Sequence, residues 1–197
     1  EILNVLERNV DYMKRLVIRT IKLAKLNAPS TNFNFQSINF SNFVDKIIEK
    51  NVSTFQEKDI SIDTEIESNI ILNADALQLE EVIENLFSNA IKYGAEHGTI
   101  SISAKRYDNQ HALISINDSG QGMRKEQVND IFNEFYKTDE SRHDFTSTGL
   151  GLSICKRIVE KHNGKIWAES DGLGKGTTIH FIIPLSLDSI VDKIISV

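Results

Sequence analysis

Apolar positions recur in steps of four and three through residues 1–27. One row runs Ile2, Leu6, Asn9, Met13, Leu16, Thr20 and Leu23, and a second, Leu3, Val10, Val17 and Ala24, lies beside it. Two adjacent rows make a stripe wider than a two-stranded seam, which predicts one long helix of an intermolecular bundle. The same pattern also suits an amphipathic helix packed on its own domain. Pro29 and Ser30 stop it, and the Asn/Phe alternation of 29–40 reads as an extended linker. Residues 41–56 form a helix, with Ser41 as N-cap and Phe43, Val44, Ile47, Ile48 and Val52 inward. Strands follow at 60–66 and 70–74. Asp75 caps a helix over 76–93. Alternating runs at 99–107 and 111–119 make a hairpin around Asp108–Asn109, and a short helix lies near 124–132. A glycine turn at 148–153 opens a helix that ends at Asn163–Gly164, and 165–170 and 176–184 are strands. Strands and helices mix without strict alternation, so the fold class is α+β.

Composition narrows this little but usefully. The chain has 197 residues, net charge −6 and no basic stripe, which argues against a nucleic-acid partner. Its single cysteine, Cys155, suits a reducing cytoplasm and reads as an inert thiol in a helix core. No apolar run approaches the roughly 18 residues of a membrane span. The chain opens with Glu1, already within a helical pattern, so we expect a piece of a longer protein. Any membrane anchor would then lie upstream of this cytoplasmic portion.

Three short segments carry chemistry. In ENLFSNAIKY, 84–93, Asn85, Asn89 and Lys92 share one helix face, although asparagine is a mediocre helix former. In DSGQGM, 118–123, an acid ends a strand and is followed by Gly120 and Gly122. In TGLGLS, 148–153, Gly149 and Gly151 precede a helix whose free N–H groups attract phosphate. It follows no strand and lacks P-loop spacing, which excludes dinucleotide and P-loop readings.

The order of these segments, with FNEFYK (132–137) and GKGTTIHFIIP (174–184) between and after them, resembles the ATP-binding domain of sensor histidine kinases. That domain belongs to the GHKL, or Bergerat-fold, superfamily. The resemblance covers about 40–185 and implies a two-layer α/β sandwich, a mixed sheet with helices on one face. The expected domains are 1–28, the second helix of a dimerisation hairpin; 29–40, a linker; 41–185, the ATP-binding domain; and 186–197, a tail with helical spacing at Leu187, Ile190, Val191 and Ile194. By resemblance, Asn89 ligates Mg²⁺, Asn85 points at the same ion or its water, and Lys92 faces the phosphates. Tyr93 packs along adenine or ribose. Asp118 accepts from the adenine amino group, helped through water by Thr177, while Gly120 and Gly122 pass beside the base. Gly149 and Gly151 frame the phosphates, with Thr148 and Leu150 in the same binding set. Lys137 and Arg142 belong to a lid ordered by the γ-phosphate. Phe132, Phe135 and Trp167 read as core. Plain structural readings stand beside these: Asn85 as a buried amide, Lys92 as a surface lysine, Arg142 and His143 as loop residues.

The resemblance also separates activities. Hydrolytic relatives place a glutamate, the water-activating base, where this chain has Asn85; an amide accepts no proton at neutral pH, so the γ-phosphate is kept for transfer. Glu81, one turn earlier, could serve through a water. The five histidines are 97, 111, 143, 162 and 180, and none precedes residue 40, so the acceptor helix is expected upstream. His162, at a helix end, reads as compensation of the helix dipole. The implied function is ATP- and Mg²⁺-dependent phosphorylation of a histidine outside this chain. Relay to the aspartate of a response-regulator receiver domain follows, in a homodimer when complete. The alternatives are a nucleotide-binding interaction module, a serine kinase of the anti-sigma type, and a hydrolytic clamp.

Overall fold

The structure, a computed structural model, describes residues 2–95, 97–137 and 147–187. The chain runs α1 (Ile2–Asn27), β1 (Phe35–Asn39), α2 (Phe40–Glu57), β2 (Ser61–Ile66), β3 (Ile71–Asp75), α3 (Ala76–Tyr93), β4 (Thr99–Arg106), β5 (His111–Asp118), α4 (Lys125–Val128), α5 (Gly151–Lys161), β6 (Lys165–Glu169) and β7 (Thr177–Pro184). Five strands form a sheet in the order β2-β4-β5-β7-β6, parallel between β2 and β4 and antiparallel elsewhere. β1 and β3 pair separately. Period-two alternation turns Ile100, Ile102, Ile114, Ile116, Phe181 and Ile183 to one face, where α3 and α5 bury them. This is the expected α+β sandwich with a mixed sheet and helices on one face.

Most helix boundaries follow local chemistry. The Asp75 carboxylate accepts from Gln78 N at 3.1 Å, capping α3, and from Asn34 N at 2.8 Å. The cap of α2 differs from expectation: Asn39, not Ser41, accepts from Asn42 N at 3.1 Å. Phe40 is fully buried and its N–H bonds the Ile70 carbonyl, which draws the helix start inward by a residue. Val52, expected inside, is 48% exposed because Phe55 takes the inward position of that turn. α4 is shorter than expected and stops at Asn129–Asp130, both weak helix formers.

Two aromatic positions also differ. Ile166 and Ala168 take the covered face of β6, so Trp167 alternates to the open face, where its ring stacks on His180 at 5.2 Å. His162 does not act as a charged dipole partner. It is fully buried; Nδ1–H donates to the Ile158 carbonyl at 2.8 Å and Nε2 accepts from Asp75 N at 3.0 Å. One nitrogen donates and the other accepts, which defines a neutral ring, and burial lowers its pKa. It joins the C-terminus of α5 to the N-terminus of α3. Cys155 is buried, and its thiol is pushed up to about 12 by desolvation, so it is inert.

α1 serves two surfaces. Tyr12, Leu16, Arg19, Leu23 and Leu26 form a helical stripe toward the rest of the chain, with Leu23 and Leu26 only 4% and 3% exposed. Leu3, Leu6, Val10, Met13 and Val17 remain more than half exposed on another side. The reading of a helix packed on its own domain therefore holds for one face, while the other leaves a row of apolar side chains exposed. Of the C-terminal tail, Ser186 is buried and Leu187 is exposed, whereas Ile190, Val191 and Ile194 lie outside the described residues.

Candidate active site

A cleft opens between the second half of α3, the segment after β5, residues 131–137, the start of α5 and the near end of β7. Its inner end is set by sheet register. Asp118 and Thr177 are paired residues of β5 and β7, on the covered face beside Ile116 and Ile179. Gly120 N donates to Asp118 Oδ1 at 2.9 Å. Partial burial raises the Asp118 pKa above the ordinary carboxylate value, and the backbone N–H groups of Gly120 and Thr177 oppose that rise. Ser170 Oγ accepts from Met123 N at 3.0 Å and donates to Gly176 O at 2.7 Å, pinning the 119–123 segment to the turn before β7. Gly122 has φ +63°, and a Cβ there would stand 2.1 Å from the Gly172 carbonyl oxygen, so glycine is required.

The outer end is gathered from distant segments. Asn89 lines it from α3, Lys137 from the loop after α4, and Thr148, Gly149 and Gly151 from the turn opening α5. Gly149 has φ +73°, and its Cβ position is only 2.8 Å from the Phe135 carbonyl carbon. Phe132 is buried as expected, but Phe135 is 55% exposed, since the backbone bends there at φ +62° to pass beneath Gly149. Asn85 stands at the junction with a second, acidic cleft lined by Glu80, Glu81 and Glu84. Its Nδ2 donates to the Glu81 carbonyl at 2.9 Å. The Asn85 Oδ1 therefore turns toward α5, 3.2 Å from where a Gly151 Cβ would be.

The cleft thus brings together Asn89, Tyr93, Asp118, Gly122, Lys137, Thr148, Gly149, Gly151 and Thr177, with Asn85 at its edge. Three expected residues lie elsewhere. Lys92 is exposed, its Nζ 5.0 Å from the Tyr93 ring centroid, one helical step away from the cleft wall. Leu150 is fully buried in the core as the N-cap of α5. Gly120 holds Asp118 without forming the wall. Arg142 and His143 lie outside the described residues. The structure adds Arg19, Gln121, Met123, Tyr136 and Ser147 to the wall. Among the described residues, the buried Ser147 Oγ has no hydrogen-bond partner. Among them, too, no cluster of three acidic, histidine or cysteine side chains could hold a metal alone. The carboxamides of Asn85 and Asn89 are neutral oxygen donors, which fit Mg²⁺ when phosphates bring the negative charge.

An amide-bearing helix, a strand-end acid and a glycine turn opening a second helix face one cleft. A family model described as "Histidine kinase-, DNA gyrase B-, and HSP90-like ATPase" matches residues 74–187, the span that contains all three. The chain belongs to this ATPase family. It is 34% identical over 184 residues to the sensor histidine kinase WalK of Bacillus subtilis, covering 92% of this chain but 30% of WalK. The catalytic domain of the histidine kinase ThkA superposes with TM-score 0.69 at 28% identity, covering 80% of this chain and 99% of that domain. ThkA in complex with the response regulator TrrA matches with TM-score 0.74 at 24% identity, over 93% of this chain and 50% of that one. Full-length ShkA in complex with AMPPNP matches with TM-score 0.80 at 24% identity, over 93% and 38%. The last two likenesses concern the fold. As a member of this family the chain is an ATP-binding domain with the architecture of histidine kinase catalytic domains.

Proposed function

We propose that this chain is the phosphoryl-donating portion of a two-component sensor histidine kinase. It binds ATP with Mg²⁺ and passes the γ-phosphate to a histidine supplied by another segment. The carrying observation is Asn85 at the edge of the phosphate end, where a hydrolytic enzyme needs a carboxylate base. A carboxamide orients but does not deprotonate water. Glu81, the one-turn-earlier candidate, is ion-paired with Lys22 of α1, and Glu80 and Glu84 share Lys50. These pairings occupy the nearby acids, which supports transfer over hydrolysis.

The roles follow from chemistry at each end. The Asp118 carboxylate accepts from an adenine amino group; guanine presents an oxygen there and is rejected. Tyr93 supplies a flat surface beside the base. The start of α5, with Gly149 and Gly151, offers backbone N–H groups to the phosphates. Asn89, assisted by Asn85, would hold Mg²⁺, which supplies charge neutralisation on the phosphates when bound. Lys137 adds a cation to the same end. The histidines at 97, 111, 162 and 180 fall outside the cleft wall, and His162 is buried, which supports an acceptor supplied by another segment. The exposed apolar side of α1 suits pairing with hairpin helices of the complete protein, including those of a second copy. A response-regulator receiver domain would take the phosphate onward.

The test incubates the chain with γ-labelled ATP, Mg²⁺ and a separately supplied hairpin carrying an acceptor histidine. Acid-labile, base-stable label on the hairpin and none on the chain is expected. Label on serine, or release of free phosphate without transfer, would overturn the assignment.

A further inference from the structure

α1 does more than lean on the domain: it contributes to the wall of the cleft. Arg19 lies on the inward stripe between Leu16 and Leu23, and its side chain reaches the end lined by Asn89, Thr148 and Gly151. Its Nη1 is 3.4 Å from Thr148 Oγ1 and 3.4 Å from where a Gly151 Cβ would be, facing the Asn85 Oδ1 across the same gap. The neighbouring contacts of α1 flank this point, with Tyr12 under Lys137 at 5.3 Å and Lys22 on Glu81.

The charge balance of Arg19 is unusual. A guanidinium carries five N–H donors and stays charged at any working pH. Here it is partly buried, and desolvation lowers its pKa. Among the described residues its hydrogen bond is a long one to a neutral hydroxyl, and it makes no ion pair. Arg19 also borders the acidic cleft, but there Glu81 is taken by Lys22 and Glu80 and Glu84 share Lys50, and Arg15 adds like charge. A partly buried cation without a counter-ion is costly unless an anion arrives. The space it faces is the one bounded by the glycine turn and by the orphaned Ser147 hydroxyl.

We propose that Arg19 binds the phosphates of the nucleotide from α1, so that ATP clamps this helix to the catalytic domain. The inference rests on the reading of the cleft as an ATP site and adds a residue from outside residues 74–187, the span of the family match. A planar fork suits two phosphate oxygens at once, which lysine cannot reproduce. Because binding energies are reciprocal, nucleotide tightens the docking of α1, and a pull on α1 weakens nucleotide. Signal-driven movement of the helix would thereby reach the phosphate end without passing through the sheet.

Calorimetry on the whole chain with ATP, ADP and adenosine tests this, comparing the parent with Arg19→Met and Arg19→Lys. Arg19→Met keeps the packing volume and is expected to weaken ATP about tenfold or more, with adenosine unchanged. Arg19→Lys falls between them. Adenosine affinity also reports that each variant is folded around the cleft. Hydrogen exchange gives an independent readout: ATP should slow amides of residues 16–26 in the parent and not in Arg19→Met. Equal ATP affinity in the parent and both variants would overturn the clamp while leaving the ATP site intact. A parent that binds adenosine but gains nothing from the phosphates would overturn the reading of the phosphate end itself.

Discussion

The two ends of the cleft are built differently. Asp118 and Thr177, at the end proposed for adenine, sit on adjacent strands of the main sheet, fixed by register and by backbone N–H groups. The end proposed for the phosphates collects Arg19, Asn85, Asn89, Lys137 and Gly149 from α1, α3, a loop and a turn. On the proposed reading, such a site would hold the base on a rigid scaffold, while the end where transfer occurs would depend on elements that can separate.

The contrast can be broken most sharply at Asp118. Asp118→Asn keeps the shape but turns an acceptor toward a donor, and ATP affinity by calorimetry is expected to fall about 30-fold, with discrimination against GTP lost. At the other end, Asn89→Ala should lower ATP affinity about tenfold in Mg²⁺ and leave it unchanged in chelator, since only the metal-dependent part is lost. If both variants gave the same loss in chelator, the two ends would not be separable.

His162 tests what holds α3 and α5 together. His162→Ala leaves a buried Asp75 N–H unpaired and a void beside Phe33 and Phe35, and unfolding should show a loss of about 2–4 kcal/mol. The sign of its pH effect is fixed. The folded pKa is depressed, so its contribution is whole above the unfolded value near 6.5 and is lost as pH falls below it toward the folded pKa. The alanine variant should lose that part of the acid sensitivity.

Asp118 gives a smaller effect from a pKa shifted the other way. Its folded pKa is raised, so ATP affinity should begin to fall on acidification above the ordinary aspartate range of about 3.9. Affinity that holds down to that range would place its carboxylate in open water. The smallest expected effect is at Lys22–Glu81, whose side chains are 30% and 29% exposed. Lys22→Met should cost less than ~1 kcal/mol in stability.

Much of this was legible in sequence because the chemistry is local. Asn85 and Asn89 lie on one stripe of one helix, Asp118 ends an alternating strand, and the glycines stand beside a helix start. What escaped depends on which face meets which neighbour. Arg19 reads as one more polar residue on a bundle helix until Leu23 and Leu26 are seen buried. Trp167 reads as core because aromatics usually are, yet its parity with Ile166 sends it to the open face. Lys92 shares the asparagine stripe by spacing, but its position one turn on carries it past the wall. His162 is equally deceptive: a histidine at a helix end suits a surface cation, and only the buried Asp75 N–H explains a neutral one.

The central claim is an adenine nucleotide held at Asp118 with Mg²⁺ at the asparagines. Calorimetric titration of the chain with ATP and GTP, each with and without Mg²⁺, tests it most directly. The account predicts ATP binding that Mg²⁺ strengthens, and GTP weaker by at least about tenfold. Equal affinity for the two nucleotides, or no response to Mg²⁺, would contradict it.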